Sequence, residues 1–83
     1  MAENTERARL LVEELTKLLV DSPGQVSVTP VDEDGETVLE LRVAPEDVGK
    51  IIGRQGRTAR SLRTIVHAAT MNLPDRYSLE IIE

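Results

Sequence analysis

The stretch Val48–Val66 reads VGKIIGRQGRTARSLRTIV. An apolar turn, Val48, Ile51 and Ile52, runs into Gly53-Arg54-Gln55-Gly56, and a second helical pattern carrying Arg57, Arg60 and Arg63 begins at once. Glycines three apart let the backbone bend tightly and approach a ligand closely, because neither carries a Cβ. The amides that follow open a helix, lack intrahelical partners and sit at the positive end of the macrodipole, where a phosphate is favoured. From Val48 to Pro74 there are five Lys or Arg and no Asp or Glu, whereas the rest of the chain holds five basic residues and all fifteen acidic ones. The asymmetry marks a local anion site on an acidic protein.

Outward from this stretch the pattern is regular. Residues 4–20 place Ala8, Leu11, Val12, Leu15, Leu18 and Leu19 on one helical face, with Asn4 as the expected N-cap. Asp21-Ser22-Pro23-Gly24 ends that helix, since Pro23 biases Ser22 away from it. Val26 and Val28 alternate with polar neighbours, so 25–31 is a strand, and Pro30 puts it at a sheet edge or marks its end. DEDGE, 32–36, is a hairpin loop with Asp34-Gly35 at its turn. Residues 38–43 alternate again, and Thr37, Leu39, Leu41 and Val43 share one face. Pro45 opens a short helix, with Glu46 and Asp47 favourable to its dipole. A long helix over 57–72 buries Ala59, Leu62, Ile65, Val66, Ala69 and Leu73, and Leu73-Pro74-Asp75 stops it before a last strand over 77–82. The order is α-β-β-α-α-β, an α+β fold in one domain, 1–83.

Composition narrows the function. With 83 residues and no cysteine, disulfides and thiolate metal sites are excluded, and a reducing cytoplasm fits. The charged opening MAENTERAR and the lack of a long apolar run argue against a signal peptide or membrane span. A net charge of −5 requires any nucleic-acid contact to come from a patch. Without Trp or Phe, and with the single tyrosine Tyr77, modules that stack bases on exposed rings are disfavoured. The acidic 32–36 segment lacks the twelve-residue calcium-loop pattern, so no metal is expected. Nucleotide-binding glycine signatures are absent, His67 is the lone histidine, and neither enzyme activity nor a cofactor is expected.

The hexapeptide Ile51-Ile52-Gly53-Arg54-Gln55-Gly56, with Gly49 before it and Leu62 after it, resembles the I-I-G-x-x-G signature of the KH RNA-binding domain. Val20-Asp21-Ser22-Pro23, Asp47-Val48-Gly49-Lys50 and Leu79-Glu80-Ile81-Ile82 extend the likeness along nearly the whole chain to small bacterial single-KH proteins of the KhpA type. The resemblance implies a KH type II domain, a three-stranded sheet with three helices packed against it and a parallel strand pair flanking the two central helices.

It also implies single-stranded RNA as partner, with the GxxG loop clamping the backbone of about four nucleotides. Carried over, Gly53 and Gly56 shape the turn, Arg54 and Gln55 point toward phosphate, and Arg57 adds a charge-assisted contact; Arg60 and Arg63 are candidates for touching RNA or for a plain solvated helix face. Lys50 faces the same groove, and Val48, Ile52 and Leu62 are candidates for its aliphatic floor or for plain core. The acidic hairpin, Asp32 to Glu36, is expected to repel RNA on its side. The family further implies an RNA-chaperone or post-transcriptional role, a homodimer or a heterocomplex with a larger KhpB-like KH protein, and a link to cell-wall homeostasis and cell-length control. Thr64, His67, Ala68 and Met71 form the candidate interface. Two other readings stay open: a dimerising adaptor with a vestigial groove, and a helix-turn-helix DNA reader, which the flanking hairpin and terminal strand disfavour.

Overall fold

The computed structural model describes residues 2–83, with side chains from Glu3 onward. Its elements run α1 (Ala2–Leu19), β1 (Ser27–Glu33), β2 (Glu36–Arg42), α2 (Val48–Ile52), α3 (Arg57–Thr70) and β3 (Arg76–Ile81). Three-residue helical turns at Pro23–Gln25 and Pro45–Asp47 each begin on a proline, whose fixed φ suits a first helical position. Among the described residues no helix is long and apolar enough to cross a membrane.

The sheet order is β1-β2-β3, with β1 antiparallel to β2 and β2 parallel to β3. The parallel pair is joined through α2 and α3, as expected for a crossover connection. Pro30 lies on β1, whose outer edge is free, where its missing N–H costs no ladder bond. Leu39 and Leu41 of the central strand are fully buried under the helices, together with Val28, Leu79 and Ile81 from its neighbours. Ala8 and Val12 of α1, Ile51 of α2, and Ala59, Leu62 and Val66 of α3 complete the core.

Several boundaries differ from expectation. The first helix begins at Ala2, so Asn4 lies in its first turn and is not its cap. The hairpin is tighter than a five-residue loop: Glu33 pairs with Glu36, and only Asp34 and Gly35 turn the chain. Their φ angles, 52° and 82°, both lie in the left-handed region that a two-residue hairpin turn of the favoured hand requires. On α3, Ile65 and Ala69 are exposed while Thr70 is buried, its hydroxyl donating to the Val66 carbonyl at 2.8 Å. On α1, Leu18 is 83% exposed, and Thr16 takes the next place in the buried stripe. The apolar stripe of α1 thus runs past the end of its packing surface, and that of α3 is narrower than expected, following Ala59, Leu62, Val66 and Thr70 with Ile65 and Ala69 on its flank.

Candidate nucleic-acid interface

The site is built on the junction of α2 and α3. Helix α2 closes with the Gly53 amide donating to the Gly49 carbonyl at 2.9 Å, and the bend closes with the Gly56 amide on the Gly53 carbonyl at 3.1 Å. Three of the four bend residues have positive φ: Gly53 at 76°, Gln55 at 57° and Gly56 at 73°. Gly53, with ψ 171°, occupies a region reached almost only by glycine. A Cβ there would also lie 2.8 Å from the Thr58 amide nitrogen and 2.3 Å from its Oγ1. The two signature glycines therefore do different things. Gly53 permits close approach of backbone to the start of α3, while Gly56 supplies only a left-handed link, with open space where its side chain would be.

Gly56 is the N-cap of α3, and no side chain among the described residues caps that end. A fourteen-residue helix thus directs its positive pole at the bend without a Ser, Thr, Asp or Asn occupying it. The Arg57 amide is satisfied by the Arg54 carbonyl. Arg54 and Gln55 are exposed at the tip, as expected. Arg57 Nη2 donates to Gln55 Oε1 at 3.3 Å, bracing the glutamine across its left-handed conformation. Arg54, Arg57 and Arg60 make no ion pair among the described residues, so three guanidinium groups stand uncompensated around the bend.

Lys50 stands apart from them, because its Nζ lies 3.4 Å from Asp21 Oδ2. Ile52 is half-buried and packs against the core, leaving part of its side chain to the surface. Leu62, the third candidate for an aliphatic floor, is a core residue at 4% exposure; its stripe points straight at the sheet. Val48 instead borders an open groove of about 370 Å³ with Val43, Pro45 and Ile82, between the end of the sheet and α2.

Asp47 was placed by the sequence only as a charge favourable to α2. It is fully buried, and its carboxylate accepts the backbone amides of Asp21, at 3.2 Å, and Ser22, at 3.0 Å. This ties the α1–β1 connection to the entry of α2, one helical turn from the bend. A hint was available in the sequence: an acidic residue directly before an apolar turn and a Ser-Pro break upstream both need partners for stray backbone groups. Thr58, against which Gly53 rests, was also missed, since only the three-dimensional approach reveals it.

The acidic hairpin lies at the other end of the molecule. Glu36 begins β2 and Arg42 ends it, so the turn at Asp34-Gly35 is separated from the α2 entry by the length of that strand. Seven residues of strand span about 23 Å. The screening length in physiological salt is about 8 Å, so repulsion from that turn acts on ligand reaching the far end and not on the bend itself.

The family model described as KhpA/KhpB, KH domain matches residues 9–81. The chain is 49% identical over 73 residues to the RNA-binding protein KhpA of Treponema pallidum, which covers 88% of this chain and 91% of that one. It is 47% identical over 72 residues to the RNA-binding protein KhpA of Clostridium acetobutylicum, covering 87% and 96%. The corresponding protein of Aquifex aeolicus is 47% identical over 73 residues, covering 88% and 92%.

Proposed function

The chain belongs to the KhpA/KhpB KH-domain family, and on that premise we propose that it binds single-stranded RNA, with the phosphates seated at Gly53–Gly56. The observation that carries the proposal is the uncapped N-terminus of α3 behind a bend ringed by Arg54, Arg57 and Arg60, none of them neutralised by a carboxylate among the described residues. Such an end offers amides and a positive dipole to an anion, and the guanidinium groups add planar donors matched to phosphate. Ile52 supports the bend from the apolar side, and Lys50, held by Asp21, contributes to the field more than to direct contact. Little discrimination between sequences is expected from contacts to phosphate.

The role proposed is non-catalytic and cytoplasmic: RNA chaperoning or post-transcriptional control, in company with a larger KhpB-like protein, with the family's link to cell-wall homeostasis and cell length. Self-association is part of the reading. Leu18, Leu19 and Ile65 are exposed and line, with Leu15, a largely apolar groove between α1 and α3. That groove is a better candidate interface than Thr64, His67, Ala68 and Met71, of which only Met71 is a large exposed hydrophobe. It also favours the second reading, an adaptor that dimerises and uses its bend for nothing.

Amide NMR spectra recorded during titration with a single-stranded oligoribonucleotide separate the two. Under the RNA reading, residues 53–58 shift most and duplex DNA of the same sequence competes poorly. Shifts confined to residues 15–19 and 61–65, at protein concentrations where the chain self-associates, would favour the adaptor.

A further inference from the structure

The apolar groove between α1 and α3 and the basic bend share a wall. Leucines of both helices and Ile65 give the groove its apolar lining, and Arg57, Thr58 and Ser61 complete it. Arg57 is the one charged residue among those that line it. Thr58 is also the residue on which Gly53 rests, its amide nitrogen 2.8 Å from the place a Cβ would take. Arg57 reaches the bend as well, donating from Nη2 to Gln55 Oε1 at 3.3 Å. These two consecutive residues thus border the groove on one side and the bend on the other. The groove is also self-complementary in outline, because the exposed Leu18 stands on its α1 wall beside a hollow of about 340 Å³. A two-fold pair sets the same patch against itself, each copy's Leu18 over the other's hollow.

We propose that self-association through this groove and phosphate binding at the bend are coupled, each strengthening the other, with Arg57 as the residue they share. This rests on the RNA reading and the self-association given above. The only hydrogen bond of the Arg57 guanidinium among the described residues is to a neutral oxygen, and it makes no ion pair there. No Asp or Glu occurs from Val48 to Pro74, and Glu14, one turn before Leu18 on α1, is engaged by Lys17 at 3.7 Å. Covering the groove withdraws water from Arg57 in both copies, and a desolvated charge without a counter-charge is costly. A phosphate seated at the bend supplies that counter-charge. The RNA-bound chain therefore pairs more readily than the free chain, and by linkage the paired chain holds RNA more tightly by the same factor. Arg54, at the tip of the bend, does not line the groove and stands outside the coupling.

The test is sedimentation velocity on the full chain over a range of concentrations, with and without tetrauridylate. That probe matches the roughly four nucleotides one bend holds, so it is too short to tether two copies, and amide shifts at residues 53–58 report its binding. Saturating tetrauridylate should lower the dissociation constant of the pair at least fivefold, the low end of ordinary coupling between sites. Arg57→Gln should pair more tightly than wild type without RNA and lose most of the gain from tetrauridylate. Arg54→Gln should pair like wild type without RNA. Leu18→Glu, held monomeric, should bind tetrauridylate more weakly than wild type does at concentrations where wild type pairs. Pairing that tetrauridylate leaves unchanged, or weakens by displacing a carboxylate that meets Arg57 across the interface, would overturn the proposal. So would an Arg57→Gln chain that pairs no more tightly than wild type. Absence of shifts at residues 53–58 defeats the RNA reading, and a wild type that stays monomeric with and without the probe defeats the groove; either result takes this inference with it.

Discussion

At the residue scale, Gly53 and Gly56 make a matched experiment on one bend. Gly53→Ala forces a Cβ against the Thr58 backbone and into a nearly glycine-only conformation, whereas Gly56→Ala meets open space and only the left-handed penalty. The second should lower stability by about 1 kcal/mol and the first by roughly 3 kcal/mol or more in urea denaturation. Equal effects would mean that the close approach to Thr58 is not maintained. Asp47→Ala removes the acceptor for the Asp21 and Ser22 amides and should cost about 1–3 kcal/mol by the same measurement. The signature glycines were legible from spacing alone. Their inequality was not, because it depends on which atoms of the next helix stand within 2.8 Å of the place a Cβ would take. Asp47 was legible as acidic and helix-proximal, but burial at a position between two distant segments has no periodic signature.

Among the elements, α1 carries both a flaw and a network. Thr16 is fully buried and its hydroxyl has no hydrogen-bond partner among the described residues, unlike Thr70 on α3. Thr16→Val keeps the shape and removes the unsatisfied group, so it should stabilise the fold by about 1 kcal/mol, a rise in melting temperature of roughly 4–8 °C for a domain of this size. A fall would show that the hydroxyl is satisfied in solution. On the outer face, Arg9 bonds Glu6 and Glu13 at 2.7 Å, and Lys17 reaches Glu13 at 3.1 Å. The hydrogen bonds from Arg9 hold the Glu6 carboxyl below its ordinary range, and those from Lys17 and then Arg9 do so for Glu13. Carboxyl groups with lowered pKa contribute stability that is complete above their ordinary value near 4.5 and is lost as pH falls through the lowered one. Glu13 raises Lys17 above its ordinary value near 10.5, so that contribution is lost only as pH rises through the raised value. Melting temperature against pH should therefore show a small acid loss in low salt that shrinks in high salt, because these pairs lie at the surface. An acid loss insensitive to salt would assign it elsewhere. The helix and strand types were readable from periodicities of 3.6 and 2. The end of the α1 stripe and the width of the α3 stripe were not, since Leu18 and Leu19 keep the apolar pattern after the partner surface has fallen away and Ile65 keeps it on the flank of a helix still buried at Val66 and Thr70.

Across the whole molecule, charge is sorted along the sheet. The turn at Asp34-Gly35, flanked by Asp32, Glu33 and Glu36, marks one end of β2, and the basic bend lies beyond the other. The segregation reconciles a net charge of −5 with an anion site, since screening isolates poles separated by more than about 8 Å. Sequence order predicted the α-β-β-α-α-β path because each crossover has one favourable hand. The parallel β2–β3 pair was expected from the family resemblance and is present; the distance between the acidic turn and the bend is set by the length of β2, which runs from Glu36 to Arg42. If the apolar groove serves self-association, Leu18→Glu should shift sedimentation toward the monomer without changing the melting temperature, since that side chain is 83% exposed. An unchanged sedimentation profile would remove the groove from consideration. The central claim concerns the bend, and the double variant Arg54→Asp, Gln55→Asp tests it most directly. Titrated with a single-stranded oligoribonucleotide at two salt concentrations, it should bind at least tenfold more weakly than wild type, with a flatter salt dependence because fewer counterions are released. Unchanged affinity and an unchanged salt slope would contradict the account.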